Sequence, residues 1–305
     1  MQVPPELGHW TIVAAAILAI APVLAFGFCG GELITRVRAL PRPAQIVLPA
    51  VLVTPYLLAA SSQGWFRWQW FALYLLLPPA VAALLLLVAV LDPAQRGHWI
   101  EFIVLVLLGL AVDMRWFEGA WPHRIIFINK LLLLDAGLYG FQCVRELSGV
   151  GFNLRLRRSD WKIGLREWLF YTPIAVVLGL ALGFLRWHGR IEHPLILPLG
   201  WLLTFFFIAL TEEIYFRGWM QNLLERKLEQ ITDGRMGRTA ALLLTAAIFG
   251  LSHFNKRTTS FNWRYVLLAA IAGVFYGRAW RAERRIGASA ITHATVDTLW
   301  GALLR

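Results

Sequence analysis

The chain has 305 residues, of which 58% are hydrophobic and only 15% are charged, and its mean hydropathy is +0.61. A soluble domain carries roughly a quarter charged residues, so this composition excludes an ordinary water-soluble globule and predicts an integral membrane protein. The formal net charge is +11, but the basic residues lie in loops between apolar segments, so the partner that we expect is the lipid bilayer and not nucleic acid.

Ten apolar segments follow one another along the chain, and most approach the roughly 20 residues that a membrane-spanning helix needs. They run over Trp10–Cys29, Gln45–Ser61, Trp70–Leu91, Trp99–Val112, Arg124–Cys143, Trp168–Leu185, Leu203–Leu224, Thr239–Phe254, Tyr265–Trp280 and Ala288–Leu304. The fourth is short enough to be re-entrant, and the fifth contains Lys130 and Asp135. The sequence therefore predicts an all-α polytopic membrane helix bundle with about 8–10 transmembrane helices.

The loops between these segments alternate in their content of Lys and Arg. The basic loops contain Arg36, Arg38 and Arg42, then Arg145, Arg155, Arg157, Arg158, Lys162 and Arg166, then Arg226, Lys227, Arg235 and Arg238, then Arg281, Arg284 and Arg285. Basic loops tend to stay on the cytoplasmic side of a membrane. With ten spans, this alternation predicts an N-terminus on the outside, and in a bacterial cell it predicts the inner membrane.

The polar stretch 145–167 divides the chain into two regions of different character. Before it, in residues 1–144, ionisable residues inside apolar segments are rare, and we assign this transmembrane region no role. After it, in residues 168–305, ionisable residues inside apolar segments are concentrated. We therefore expect 145–167 to be a basic cytoplasmic linker and 168–305 to carry the chemistry.

The seventh segment contains two adjacent carboxylates and an arginine, Glu212, Glu213 and Arg217. At roughly 3 kcal/mol for each charged residue at membrane depth, these three cost on the order of 9 kcal/mol, so they need partners and usually a function. Glu213 and Arg217 are four residues apart on one helix face, which favours an ion pair. Glu212 is rotated by about 100° from Glu213, so it is free to point into a cavity and to exchange protons.

Two later segments supply histidines at a similar depth. His253 is the last residue of the run Phe249–His253. His293 precedes Asp297 by four residues, so His293 and Asp297 lie on the same face of their helix. A single histidine in a membrane helix is a hydrogen-bonding group between helices about as often as it is a functional residue. A pair of acids is also compatible with proton or ion transport. Four ionisable positions on three helices favour a catalytic site.

In this order, the motifs Glu-Glu-x-x-x-Arg, Phe-x-x-x-His and His-x-x-x-Asp resemble those of the CPBP intramembrane endopeptidases. That family includes the Rce1-type CAAX prenyl proteases and the bacterial Abi proteins, which process bacteriocins or confer immunity. The resemblance covers roughly residues 168–305, so it implies that this region is a CPBP/Abi-like protease core. It implies an intramembrane glutamic endopeptidase that hydrolyses a peptide bond in a peptide or membrane-protein substrate.

The resemblance also implies a role for each matching residue. Glu212 would activate the attacking water, supported by Glu213, Arg217 and Phe249. His253 would assist this activation, while His293 and Asp297 would stabilise the oxyanion of the tetrahedral intermediate. The prenyl proteases have asparagine where this chain has Asp297, and an ionised aspartate cannot donate a hydrogen bond to an oxyanion. Asp297 would then be protonated or would orient His293.

Several alternatives stay open at this point. No cofactor is expected, although Glu212, His253 and His293 match a catalytic zinc ligand set, so a divalent metal is a second possibility. A non-catalytic immunity or peptide-binding protein would keep the same fold. A proton-coupled transporter would use Glu212 and Asp297, but it would normally show a two-fold hydropathy repeat, which the sequence lacks. The chain also lacks the HExxH, GxGD and GxSG motifs of other intramembrane proteases.

Overall fold

A computed structural model describes residues 5–186, 194–256 and 260–303 of the chain, and within them all regular structure is helical. Ten helices are α1 Pro5–Arg38, α2 Arg42–Gln63, α3 Trp68–Leu91, α4 Trp99–Asp113, α5 Phe127–Leu138 with its continuation Tyr139–Val144, α6 Arg158–Ala181, α7 Leu197–Leu228, α8 Gly234–Leu251, α9 Trp263–Glu283 and α10 Ile286–Leu303. Each of the ten predicted segments overlaps one of them, although α6 begins at Arg158, before the predicted Trp168, and ends at Ala181, before the predicted Leu185. The predicted all-α helix bundle is therefore confirmed.

Five of the helices are long and apolar enough to cross a membrane. They are α1 from Trp10 onward, α2, α3, α6 and α7. Their surfaces carry many exposed large apolar side chains, such as Trp68, Leu76 and Val177, which suit lipid as the surrounding solvent. The chain is thus an integral membrane protein, and the larger number of about 8–10 spans stays a prediction for the other helices.

The helices form two compact units, Met1–Ser148 and Gly149–Arg305. The division falls within the stretch that we expected to be a linker, and α6 begins inside this stretch at Arg158. The Asp160 carboxylate accepts from the backbone N–H of Arg157 at 2.7 Å and from Nε of Arg285 at 2.7 Å. These bonds give α6 a capped start well before Trp168.

The first unit is held together by polar contacts between otherwise apolar helices. The Tyr74 hydroxyl of α3 donates to Asn129 Oδ1 of α5 at 2.8 Å and accepts from Trp121 Nε1 at 2.8 Å. Arg145 at the end of α5 donates to Glu101 of α4 at 2.6 Å. Because these buried groups satisfy one another, they fix the relative rotation of α3, α4 and α5.

In the second unit, α8 and α9 approach each other closely at glycines. A Cβ added at Gly250 would lie 2.5 Å from the Val266 carbonyl oxygen, and one added at Gly273 would lie 3.0 Å from Ala246 Cα. Such distances allow no side chain, so the two backbones pack directly on each other, as small residues permit in membrane helices. This packing leaves the Gly273 carbonyl facing α7.

Candidate active site

Helix α7, which carries the acid pair, is irregular around that pair. Two π-helical stretches, Phe205–Ala209 and Ile214–Gln221, flank the short α-helical turn Leu210–Glu213. Wider π turns inside an α-helix often occur at functional sites, since they change the direction in which neighbouring side chains project. Here they set how the side chains of α7 meet those of α8, α9 and α10.

Glu213 lies at the centre of a buried cluster. Its side chain is fully buried, and its Oε2 atom lies 3.1 Å from Arg217 Nε, so the predicted ion pair is present. Oε2 also accepts a hydrogen bond from the Ser289 hydroxyl, and Oε1 lies 2.8 Å from His293 Nδ1. With partners from α7 and α10 on both oxygens, Glu213 has the bonds that an ionised carboxylate requires in a low-dielectric interior.

Arg217 is fully buried as well and is held from two sides besides Glu213. Its Nη2 donates to the Gly273 carbonyl at 3.1 Å, and its guanidinium lies 4.9 Å from the centre of the Phe249 ring. A guanidinium over an aromatic face gains a cation–π attraction, which is larger when the group is desolvated. Phe249 therefore contacts the arginine of the ion pair, and its supporting role in catalysis stays a prediction.

His293 connects the two adjacent glutamates. Its Nδ1 faces Glu213, while its Nε2 lies 3.9 Å from Glu212 Oε2 and 3.5 Å from Asp297 Oδ2. The ring stacks on Tyr276 with 4.5 Å between the centroids. The stacking and the Glu213 contact fix the orientation of the imidazole, so Nε2 is directed between Glu212 and Asp297.

Glu212 occupies a different environment from Glu213. Its side chain is 12% accessible, whereas that of Glu213 is fully buried. It adjoins the same imidazole at a longer distance than Glu213 does. When two neighbouring carboxylates have different surroundings, one can serve a structural role while the other exchanges protons.

His253 lies in the turn that follows α8 and is largely buried. Its Nδ1 lies 2.8 Å from the Phe249 carbonyl oxygen, which only accepts, so Nδ1 carries the proton and the neutral ring leaves Nε2 as an acceptor. The ring packs between Phe249 and Tyr265, at 4.9 Å from each. The Phe249 ring also lies 5.6 Å from the His293 ring, so one aromatic side chain contacts both histidines.

The metal alternative finds no ligand set in the described parts of the chain, where no three His, Cys, Asp or Glu side chains are placed to hold an ion. In both His253 and His293, Nδ1 contacts a protein oxygen, so only their Nε2 atoms remain to bind a metal. The zinc site that the sequence permits at Glu212, His253 and His293 stays a prediction.

Sequence reasoning missed several residues that contact this cluster, among them Ser289 and Tyr276. Ser289 donates to Glu213, and Tyr276 stacks on His293. A signal for Ser289 was present, because it precedes His293 by four residues and therefore shares its helix face. The sequence offered no comparable signal for Tyr276, which lies on a different helix.

Replacing Ser289 by Ala is expected to lower the stability of the protein in detergent by about 1–3 kcal/mol, because a buried carboxylate loses a donor. The matched control is Thr245→Val, since the Thr245 hydroxyl is equally buried and makes no hydrogen bond among the described residues. This control should leave stability unchanged or raise it. Equal unfolding midpoints for Ser289→Ala and the parent protein would show that the Ser289–Glu213 bond contributes nothing.

Comparison with known families supports the resemblance that the three motifs predicted. Residues 194–299, about a third of the chain, match the family model described as Type II CAAX prenyl endopeptidase Rce1-like. This segment contains every residue of the cluster described above, so the predicted resemblance is confirmed. No curated protein and no solved structure matches the chain. The family match supports a membrane-embedded peptidase of the CAAX-protease type.

Proposed function

We propose that the chain is an intramembrane endopeptidase of the CPBP type, in which Glu212 activates a water molecule that hydrolyses a peptide bond. One observation carries this proposal: Glu213 has partners on both oxygens, while the adjacent Glu212 is partly accessible and shares His293 with it. A partly accessible carboxylate next to an imidazole is an arrangement suited to general-base catalysis. The family match over residues 194–299 supports the same reaction class.

The residues divide the work of hydrolysis among them. Glu212 accepts a proton from water, whose oxygen attacks the carbonyl carbon of the scissile bond, and the proton then passes to the leaving amine. His253 assists through Nε2, the ring atom that its bond to Phe249 leaves as an acceptor. The reaction therefore consumes one water and releases a new carboxyl and a new amine.

His293 is the group placed to stabilise the oxyanion. Because Nδ1 is bonded to Glu213, it donates from Nε2 only as an imidazolium. Carboxyl groups flank both ring nitrogens, with Glu213 Oε1 at 2.8 Å from Nδ1 and Asp297 Oδ2 at 3.5 Å from Nε2. In this scheme Asp297 acts through His293 and not as a donor to the oxyanion.

The Asp297→Asn variant is expected to keep most of its cleavage activity, within about tenfold of the parent rate, because the amide has nearly the shape of the carboxyl group and Glu213 still holds His293 through Nδ1. Asp297→Leu, which has no acceptor, should lose far more. Initial rates of peptide cleavage in liposomes separate the two variants. A full loss of activity in Asp297→Asn would show that the negative charge itself is required.

The proposed substrate is a peptide or membrane protein cut within or beside the bilayer, with a CAAX-like protein as one case. The proposed topology places the N-terminus outside and residues 145–167 in the cytoplasm. In a bacterial cell, the proposed location of the protein is the inner membrane. We assign no role to residues 1–144.

Cross-linking an inactive Glu212 variant in native membranes, with identification of the captured peptides, tests this function. Peptides that the parent protein binds but never cuts would favour the immunity protein of the same fold.

The proposed topology predicts labelling from opposite sides of the membrane. A cysteine at Ser159 should react with a membrane-impermeant thiol reagent only in inside-out vesicles, and one at Gly189 only in intact cells or spheroplasts. Residue 189 lies outside the described residues. Because Cys29 is exposed in the first unit, both cysteines are introduced into a Cys29→Ser, Cys143→Ser background. Labelling of both positions from one side would contradict the ten-span topology.

A further inference from the structure

Two arginines share one buried carboxylate where α6 meets α9. Arg166 Nη2 lies 2.9 Å from Glu167 Oε1, and Arg278 Nε lies 3.1 Å from Glu167 Oε2. The Glu167 side chain is buried, whereas the side chains of Arg166 and Arg278 are 53% and 46% accessible. One carboxylate balances only one of the two guanidiniums, so the two helices present a net positive charge on their surface.

Both guanidiniums keep N–H groups that Glu167 does not use. Arg166 engages Glu167 through Nε and Nη2, and Arg278 engages it through Nε. The Arg278 guanidinium also lies 5.2 Å from the centre of the Phe275 ring, which holds its plane in place. Because arginine has five N–H donors in a planar fork that fits phosphate oxygens, the remaining donors suit a phosphate group.

The basic surface continues from Arg166 along one face of α6. Arg158, Lys162 and Arg166 follow one another at intervals of four residues and are all exposed, so they form one row on the helix. The next two positions of this row, Phe170 and Ile174, are exposed and apolar. The surface therefore changes from charged to hydrocarbon within about one helical turn after Arg166.

Helices α6 and α9 run antiparallel next to this row. Ser159 near the start of α6 donates to Glu283 at the end of α9 at 2.7 Å. Farther along α6, the Tyr171 hydroxyl donates to the carbonyl of Leu268, which lies earlier in α9, at 3.1 Å. The basic end of α6 therefore lies beside the C-terminal end of α9.

The surface of α9 shows the same order of charged and apolar residues as α6. Toward its N-terminal end, Arg278 is followed on one helix face by Val274 and Leu267, which are partly exposed and exposed. The two helices thus carry their arginines at one level and apolar side chains beyond them. This order matches an amphiphile with an anionic head and a hydrocarbon tail.

The length of the apolar part also matches a lipid. Val177 is exposed on α6 as well, and the helix rises by about 16 Å from Arg166 to Val177. One leaflet of the hydrocarbon core is about 15 Å thick. A zwitterionic lipid would gain less from the net positive charge, because its head carries a cation of its own. Basic pockets between transmembrane helices bind anionic lipid heads in other membrane proteins.

We propose that α6 and α9 bind one anionic phospholipid, with its phosphate on Arg166 and Arg278 and an acyl chain along Phe170, Ile174 and Val177. The site lies outside the cluster around Glu213 and does not depend on the proposed peptidase function. The bound lipid contacts both helices, so it stabilises their association in the folded protein.

The test compares two lipids that differ in the charge of the head. The parent protein in detergent is titrated with phosphatidylglycerol or with phosphatidylcholine of the same chain length, and bound lipid is counted by native mass spectrometry. The Kd for the first phosphatidylglycerol should be lower than that for phosphatidylcholine by at least about tenfold. The parent protein should also unfold at a higher temperature in phosphatidylglycerol. Equal Kd values for the two lipids would overturn the proposal.

Charge reversal at Lys162 tests the location of the site, because it leaves Glu167 with both of its arginines. Lys162→Glu should raise the Kd for phosphatidylglycerol by at least about fivefold, the factor that one basic residue near the membrane surface contributes. The matched control is Lys227→Glu, which makes the same change at an exposed lysine of α7 and should leave this Kd nearly unchanged. Equal effects of the two variants would show that the lipid binds through general charge and not at this site.

A variant that combines Arg166→Gln, Glu167→Gln and Arg278→Gln removes the site without leaving a buried charge unpaired. It should bind the two lipids with equal Kd, and if it folds poorly the two lysine variants decide the outcome. Inorganic phosphate provides the last comparison, since it has the anionic group without the acyl chains. It should not displace phosphatidylglycerol at millimolar concentration. Displacement, or an unchanged lipid preference in the triple variant, would overturn the lipid site.

Discussion

The Glu212→Gln variant is expected to cut peptides about 10²–10⁴-fold more slowly than the parent protein, because it lacks the general base. The amide has nearly the same volume as the carboxylate, and the Glu213–Arg217 pair and the Ser289 bond do not involve it. The variant should therefore fold, keep its thermal midpoint in detergent and still bind peptide. Rates measured in liposomes, together with peptide cross-linking yields, check both parts of this expectation.

Glu213→Gln is the matched control, since it makes the same chemical change at the next residue. This variant should lose stability as well as activity, because Arg217 would keep its buried charge without a negative partner. Comparing the two variants distinguishes a proton-accepting role of Glu212 from a structural role of Glu213. An unchanged rate for Glu212→Gln would remove the glutamate mechanism.

Arg217→Ala is expected to lower the stability of the protein by about 3–5 kcal/mol, because Glu213 would remain buried without its cationic partner. The variant should also lose activity, since Glu213 holds His293 at 2.8 Å. Replacing Glu213 and Arg217 together by Leu should restore part of the stability. Folding yield and the unfolding midpoint in detergent are the measurements.

An exposed ion pair provides the control for Arg217→Ala. Arg238 and Glu229 lie 2.9 Å apart with side chains that are 41% and 37% accessible. Because water and salt screen such pairs, Arg238→Ala should cost less than about 1 kcal/mol. Equal losses in the two variants would show that burial does not decide the strength of the Glu213–Arg217 pair.

The sequence predicted those features that depend on one helix at a time. Hydropathy located all ten helices, and the spacing of four residues identified the Glu213–Arg217 pair, because both signals follow from local helix geometry. The contact of His293 Nδ1 with Glu213 was missed, since it depends on how α10 is rotated against α7. Residue spacing within each helix carries no information on that rotation, and the π turns of α7 alter it further.

The division of the chain was predicted less well in its details. Composition marked 145–167 as polar, but α6 already starts at Arg158. The Asp160–Arg285 contact that stabilises this start joins residues far apart in sequence. A cavity of about 170 Å³ lined by Tyr171, Leu268 and Val296 was not predicted either, because its walls come from α6, α9 and α10, and only their packing creates the space.

The most direct test of the central claim is isotope incorporation during peptide cleavage. Peptides captured by the Glu212→Gln variant are incubated with the parent protein in liposomes prepared in H₂¹⁸O, and the masses of the products are measured by mass spectrometry. Hydrolysis by an activated water predicts two fragments, with one ¹⁸O atom in the new carboxyl group, and a yield of these fragments that is lower by about 10²-fold or more with Glu212→Gln. Captured peptides that the parent protein leaves intact, or fragments that form equally with Glu212→Gln, would contradict the account.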